Sequence, residues 1–167
     1  KTTGSSPRII SKEGKDIAIH RLRSASIGEQ VRLIRNFSYR KPDAVVFECM
    51  AVNPQYQWIS EQKMIRSTIS VITNVRPDHL DEMGSTLNDN AMSLSNTIPY
   101  EGILITAENK MDHVLENVAK KRNTKIQLVS SKSISLDYMS KFPYLEHHDN
   151  VAVALEVCKE AGINEKI

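Results

Sequence analysis

Two places in the sequence combine residue types that can hold a hard cation. Glu48 closes the apolar run Ala44-Val-Val-Phe-Glu48, and Asp78-His79 lies just beyond a second run, Ile69-Ser-Val-Ile-Thr73. Ligands of open parallel sheets bind outside the carboxyl ends of the strands. A carboxylate and an imidazole at two such ends can therefore share Mg²⁺ or Mn²⁺, with water and phosphate oxygens filling the remaining positions. Spacing alone leaves other readings open, because a strand-terminal Glu often caps a helix or pairs with a cation, and a His after a strand is often a surface residue. Cys49, next to Glu48 on the same run, reads as a small core residue. Cys49 and Cys158 show no CxxC or CxxH spacing, so neither a zinc site nor a disulfide framework is expected, and a reducing compartment fits.

The elements that must position these residues alternate between short β-rich runs and amphipathic helical windows. This pattern predicts an α/β fold with a mainly parallel sheet flanked by helices. Arg8-Ile-Ile and Asp16-Ile-Ala-Ile, joined through Glu13-Gly14, read as a small antiparallel hairpin. Ser26 with Glu29 forms a capping box for a helix through Phe37. Ala44 to Glu48 is expected as a buried central strand, and Asn53-Pro54 starts a helix through about Lys63. Further strands are expected at 69–73, 102–106 and 125–129, with helices at 86–95, 110–122 and 150–161, the last closed by Gly162. There is no repeat and no low-complexity linker, so one domain is expected.

The chain has 167 residues, 40% of them hydrophobic and 25% charged, with six Gly and six Pro. These ordinary values exclude collagen-like, mucin-like and wholly disordered classes. The longest strongly apolar uncharged stretch, Ser67 to Val75, is far short of the roughly 18 residues that span a bilayer. No apolar signal region follows Lys1. Residues 1–41 hold ten Lys/Arg against three Asp/Glu, a balance of +7 in a chain whose net charge is +2. This basic third is either a solvated surface or a face for phosphates or a polycarboxylate. Nucleic acid is not an expected partner, with only 5% aromatic residues and no binding signature for RNA or DNA.

Motif order adds a resemblance. Val46-Phe-Glu-Cys-Met-Ala-Val-Asn-Pro54, Gln57-Trp-Ile-Ser-Glu61 and Val71-Ile-Thr-Asn-Val-Arg-Pro-Asp-His-Leu-Asp81 stand with Lys1-Thr-Thr-Gly-Ser5, Phe142-Pro-Tyr-Leu-Glu-His147 and Asn150-Val-Ala-Val-Ala-Leu155. Together they resemble the ATP-dependent Mur-ligase superfamily and, within it, the poly-γ-glutamate (capsule) branch. The resemblance implies a P-loop-ATPase-like central domain over residues 1–167. It also implies ADP-forming γ-glutamyl ligation through an acyl phosphate, with ATP and Mg²⁺ (or Mn²⁺) as cofactors. Glu48 and His79 match metal-ligand positions, with Asp78 and Asn74 lining the site. Thr3 and Ser5 match a segment near the metal and the γ-phosphate, and Asn150 matches an asparagine near adenine that could equally be a helix N-cap. Arg76 would meet phosphate or substrate carboxylate, or form a surface ion pair. Implied partners are glutamate, the growing polymer and membrane-bound capsule subunits, with homo-oligomerisation compatible. The implied location is cytoplasmic, at the inner face of the membrane.

Three departures qualify the resemblance. Lys1-Thr2-Thr3 leads into Gly4-Ser-Ser-Pro7 rather than a helix, which places the phosphate loop upstream of residue 1. No Lys occurs between Lys63 and Lys110, so the carbamylated lysine of many Mur ligases has no counterpart. A C-terminal amine-delivering domain is not expected within the chain. Alternatives are a ligase for another glutamate acceptor, such as a folate or peptide, or an idle scaffold module. A two-metal phosphoesterase would need more ligands than Glu48 and His79.

Overall fold

The computed structural model describes residues 8–10, 15–18, 27–40 and 43–163. They fall into two compact units, Lys1–Val52 and Asn53–Ile167. Thr3, Ser5, the expected turn at Glu13-Gly14 and the expected N-cap Ser26 lie outside the described residues.

In the first unit β1 (Arg8–Ile10) pairs antiparallel with β2 (Asp16–Ala18), with Ile9 opposite Ile17, as the hairpin reading requires. Helix α1 (Ile27–Arg40) runs three residues past its expected end at Phe37. The sequence turns to Lys41-Pro42 just beyond it. The run Ala44 to Glu48, expected as a buried central strand, is not one. Residues 44–50 carry no regular secondary structure, and Val46 is 80% exposed. An apolar run becomes a strand only when a neighbour supplies ladder hydrogen bonds. Among the described residues the only strand pairs are β1–β2 and those of the sheet described below. Cys49 is corrected with it: it is exposed rather than a core residue, and its thiol approaches the Ala51 carbonyl at 4.0 Å.

The second unit opens as expected, with Asn53 accepting the Gln55 N–H at 3.0 Å and Pro in the first turn of α2 (Pro54–Ile59). The expected single helix through Lys63 instead widens into a π-helical segment, Ser60–Ile65, closed by left-handed Arg66 at φ 52°. The segment turns Glu61 inward, where one carboxylate oxygen accepts the Ser67 N–H at 2.8 Å and the Ser67 hydroxyl at 2.9 Å. Polar groups buried here (Gln57, Ser60, Glu61) break the apolar stripe on which helix periodicity depends.

Strands β3 (Ile69–Ile72), β4 (Ile103–Thr106) and β5 (Lys125–Leu128) form a parallel sheet in that order, with Ile69 beside Ile103 and Ile103 beside Lys125. The crossovers carry α3 (Leu80–Met83) and α4 (Leu87–Leu94), then α5 (Asp112–Lys121). A short helix α6 (Leu136–Met139), not anticipated from sequence, precedes α7 (His148–Glu160). Leu104 and Ile105 point to opposite faces of β4, yet both are fully buried, so both faces of the central strand are covered. One face packs Ile72 and Leu104 against Ala91 of α4 and Val114, Leu115 and Ala119 of α5. Helix α7 packs on β4 and contributes buried Val151, Ala152 and Val153. β3, with one strand neighbour, is less buried than its sequence suggested, and Val71 is 43% exposed.

Candidate functional site

The loop leaving β3 at the carboxyl edge carries Asn74, Arg76, Asp78 and His79. Asn74 is half-buried and Arg76 exposed. The His79 backbone is left-handed, φ 43° and ψ 51°, at the position preceding α3. Asp78 Oδ1 accepts the His79 N–H at 2.9 Å and lies 3.7 Å from His79 Nε2. Both side chains are largely exposed, so the carboxylate and imidazole are presented together to solvent.

Two buried polar side chains that sequence reading missed hold this loop. Asn90, fully buried in α4, accepts the Asp78 N–H at 2.9 Å and donates to the carbonyls of Gly84 and Thr86 at 3.0 and 3.1 Å. Glu108, two residues beyond β4, accepts the Val75 N–H at 2.5 Å. Its other oxygen accepts the N–H groups of Asn109, Lys110 and Met111 at the entry to α5. Burial alone would raise the Glu108 pKa, but these N–H donors outweigh it and hold the carboxyl below its ordinary value. Glu108 occupies the same topological position, just past a strand end, that singled out Glu48 and Asp78; that rule was available in the sequence. An amide on the apolar face of α4 was the corresponding signal for Asn90.

Asn150 is not an N-cap, as one reading of it had it. His147 holds that position, and Asn150 lies in the first turn of α7, its Nδ2 donating to Glu146 at 2.9 Å. With the His147 N–H as the larger influence and Asn150 second, Glu146 is held below its usual pKa. Near the far end of α7, Glu160 meets Gln127 at 2.5 Å and lies 3.7 Å from Lys125 at the start of β5. The helix thus runs antiparallel to the strand, and Asn150, roughly 15 Å along its axis from Glu160, lies toward the carboxyl edge of the sheet. Glu48 is exposed, in the first unit. An open cleft of about 650 Å³ runs elsewhere, between α4 and α5, and is lined by Met92, Tyr100, Val118, Lys121 and Arg122 among others. None of the residues expected to do chemistry lines it.

Among the described residues no group of three or more His, Cys, Asp or Glu side chains could hold a metal by itself. Mg²⁺ typically takes only one or two protein ligands and keeps waters and phosphate oxygens. An exposed imidazole with a carboxylate beside it fits that sparse coordination and does not fit a cage made wholly of protein ligands.

Comparison with known proteins agrees with the architecture. The Mur ligase middle domain family matches residues 14–166. Capsule biosynthesis protein CapB of Bacillus anthracis is 40% identical over 99% of this chain, which covers 36% of that protein. PGA synthase CapB of Bacillus subtilis is 38% identical over 99% of the chain, covering 43% of its own length. The chain thus spans about two-fifths of the length of these relatives. E. coli FolC in complex with DHPP and ADP superposes with a TM-score of 0.49 at 19% identity, over 61% of this chain and 28% of that one, a likeness too slight to carry an assignment. With the family match reaching from just before β2 through α7, the chain belongs to the Mur ligase middle domain family.

Proposed function

We propose that the protein containing this chain is an ATP-dependent, ADP-forming γ-glutamyl ligase that builds poly-γ-glutamate. The observation that carries the reading is identity of 38–40% along 99% of the chain to a capsule biosynthesis protein and a PGA synthase. In this reaction the γ-phosphoryl group passes to a glutamate γ-carboxylate oxygen. The amine of a second glutamate then attacks the acyl carbon, phosphate leaves, and the nitrogen loses a proton as the amide forms. Mg²⁺, when bound, neutralises charge on the transferring phosphoryl group.

His79 is assigned as a metal ligand from its place in the loop after β3, and Glu48 as one from the family resemblance of the run that carries it. Asp78 is assigned to the same site, its carboxylate bound to the His79 N–H and 3.7 Å from the imidazole, and Asn74 lines the same loop. Arg76 offers an exposed guanidinium for phosphate or substrate carboxylate. Asn150 is assigned to the adenine, with its amide steadied by Glu146, and Thr3 and Ser5 to the γ-phosphate. The protein acts in the cytoplasm at the inner face of the membrane, with membrane-bound capsule subunits as partners and self-association compatible. The test is nucleotide product analysis of the full-length protein given glutamate and Mg·ATP. ADP is expected, with Glu48→Ala and His79→Ala each lowering its release at least 100-fold. Release of AMP and pyrophosphate, or near-normal turnover in both variants, would reject the reading.

A further inference from the structure

We propose that Glu108 is a positioning residue that fixes the pose in which the loop after β3 presents His79. The proposal rests on the assignment of His79 as a metal ligand. Glu108 is 6% exposed, and its carboxylate accepts four hydrogen bonds, all from backbone N–H groups. The carboxylate divides its work. Oε1 takes the three N–H groups of Asn109, Lys110 and Met111 and so holds the turn that leads into α5. Oε2 reaches 33 residues back along the chain to the Val75 N–H, a bond that holding this turn does not require.

Val75 is itself a core residue, packed with Ile72, and is therefore the root of the loop. Asn90 takes the Asp78 N–H three residues later. The two buried acceptors bracket Arg76-Pro77, and His79 follows the second bracket in a left-handed conformation at φ 43°. A non-glycine residue in that region persists when its surroundings over-determine it. Loosening the Val75 bracket should release the loop and misplace the imidazole without touching it.

The test uses the full-length protein, with Mn²⁺ binding counted by the EPR signal of the free ion in the presence of ADP, alongside thermal unfolding. In Glu108→Gln one acceptor oxygen becomes a donor, so either the α5 entry or Val75 loses its acceptor. We expect Mn²⁺ affinity to fall about tenfold, as when outer-shell partners of metal ligands are removed. The double variant Glu108→Gln/His79→Ala should bind no more weakly than His79→Ala alone, because Glu108 acts through His79. Glu108→Asp keeps both oxygens on a shorter stem, and its smaller loss of affinity supplies the measurement if the glutamine variant does not fold. A lowered melting temperature with Mn²⁺ affinity within twofold of the parent would make Glu108 a purely structural residue of its own turn and overturn the proposal. If His79→Ala weakens Mn²⁺ binding while neither Glu108 variant does, the ligand assignment stands and this proposal alone falls. If His79→Ala leaves binding unchanged, both fall.

Discussion

His79 combines a left-handed backbone with an exposed imidazole next to a carboxylate, so its stability and its chemistry can be separated by substitution. Glycine adopts φ near 43° without the penalty of a Cβ, roughly 1–2 kcal/mol for an L-residue. His79→Gly should therefore be about 1 kcal/mol more stable than His79→Ala by urea denaturation, while both lose metal-dependent turnover. Equal stability of the two would show that the conformation costs nothing. Asn90 offers the opposite case, since its amide serves three backbone groups from full burial. Asn90→Ala should cost about 2–3 kcal/mol, because buried donors and acceptors are left unpaired. Glu108 adds a pH dependence with a definite sign. Its folded pKa lies below the ordinary 4.5, so its contribution is full above that value and is lost as pH falls through the lower folded value. The acid limb of stability measured below about pH 4.5 should be shallower in Glu108→Gln than in the parent.

Among the elements, α4 is the bridge between core and loop. Its capping box is complete: Thr86 accepts the Asp89 N–H at 3.1 Å and Asp89 accepts the Thr86 N–H at 3.0 Å. The Thr86 hydroxyl, first, and the Thr86 N–H together hold the Asp89 carboxyl below its usual range. Thr86→Ala should cost about 1 kcal/mol in thermal or urea unfolding. The parallel strands and long helices were legible in the sequence because Ile69–Ile72, Ile103–Thr106 and the stripe of α5 obey simple periods. The strand expected at Ala44–Glu48 was not formed, because apolar content cannot report whether a ladder partner is present. The π-helical turn at Ser60–Ile65 was hidden for a related reason. Its burial of Gln57, Ser60 and Glu61 is satisfied by tertiary hydrogen bonds that no local pattern encodes. At the site, the loop residues Asn74 to His79 were visible by type and by position after a strand. Asn90 and Glu108, which hold that loop, lie 11 and 29 residues further on than His79 and became recognisable only when the crossovers folded back.

At the scale of the molecule, one edge of a parallel sheet gathers the loop after β3, the carboxylate after β4 and the first turn of α7, which carries Asn150. That edge is where the topology of open α/β sheets directs ligands, and it is what the family membership leads one to expect. No helix of the described residues is long and apolar enough to cross a membrane. Under the proposed ligase reading, the +7 balance of the first 41 residues is complementary in charge to two polyanions, ATP and poly-γ-glutamate. Binding of the polymer should therefore weaken as salt rises from about 50 to 200 mM, since screening shortens the reach of exposed charge. Phosphoryl transfer to a γ-carboxylate has one signature that no other nucleotide-dependent route shares. Full-length protein supplied with glutamate labelled with ¹⁸O in the γ-carboxylate, and with Mg·ATP, should release phosphate carrying one ¹⁸O per turnover, together with ADP. Unlabelled phosphate, or ¹⁸O in released AMP, would contradict it.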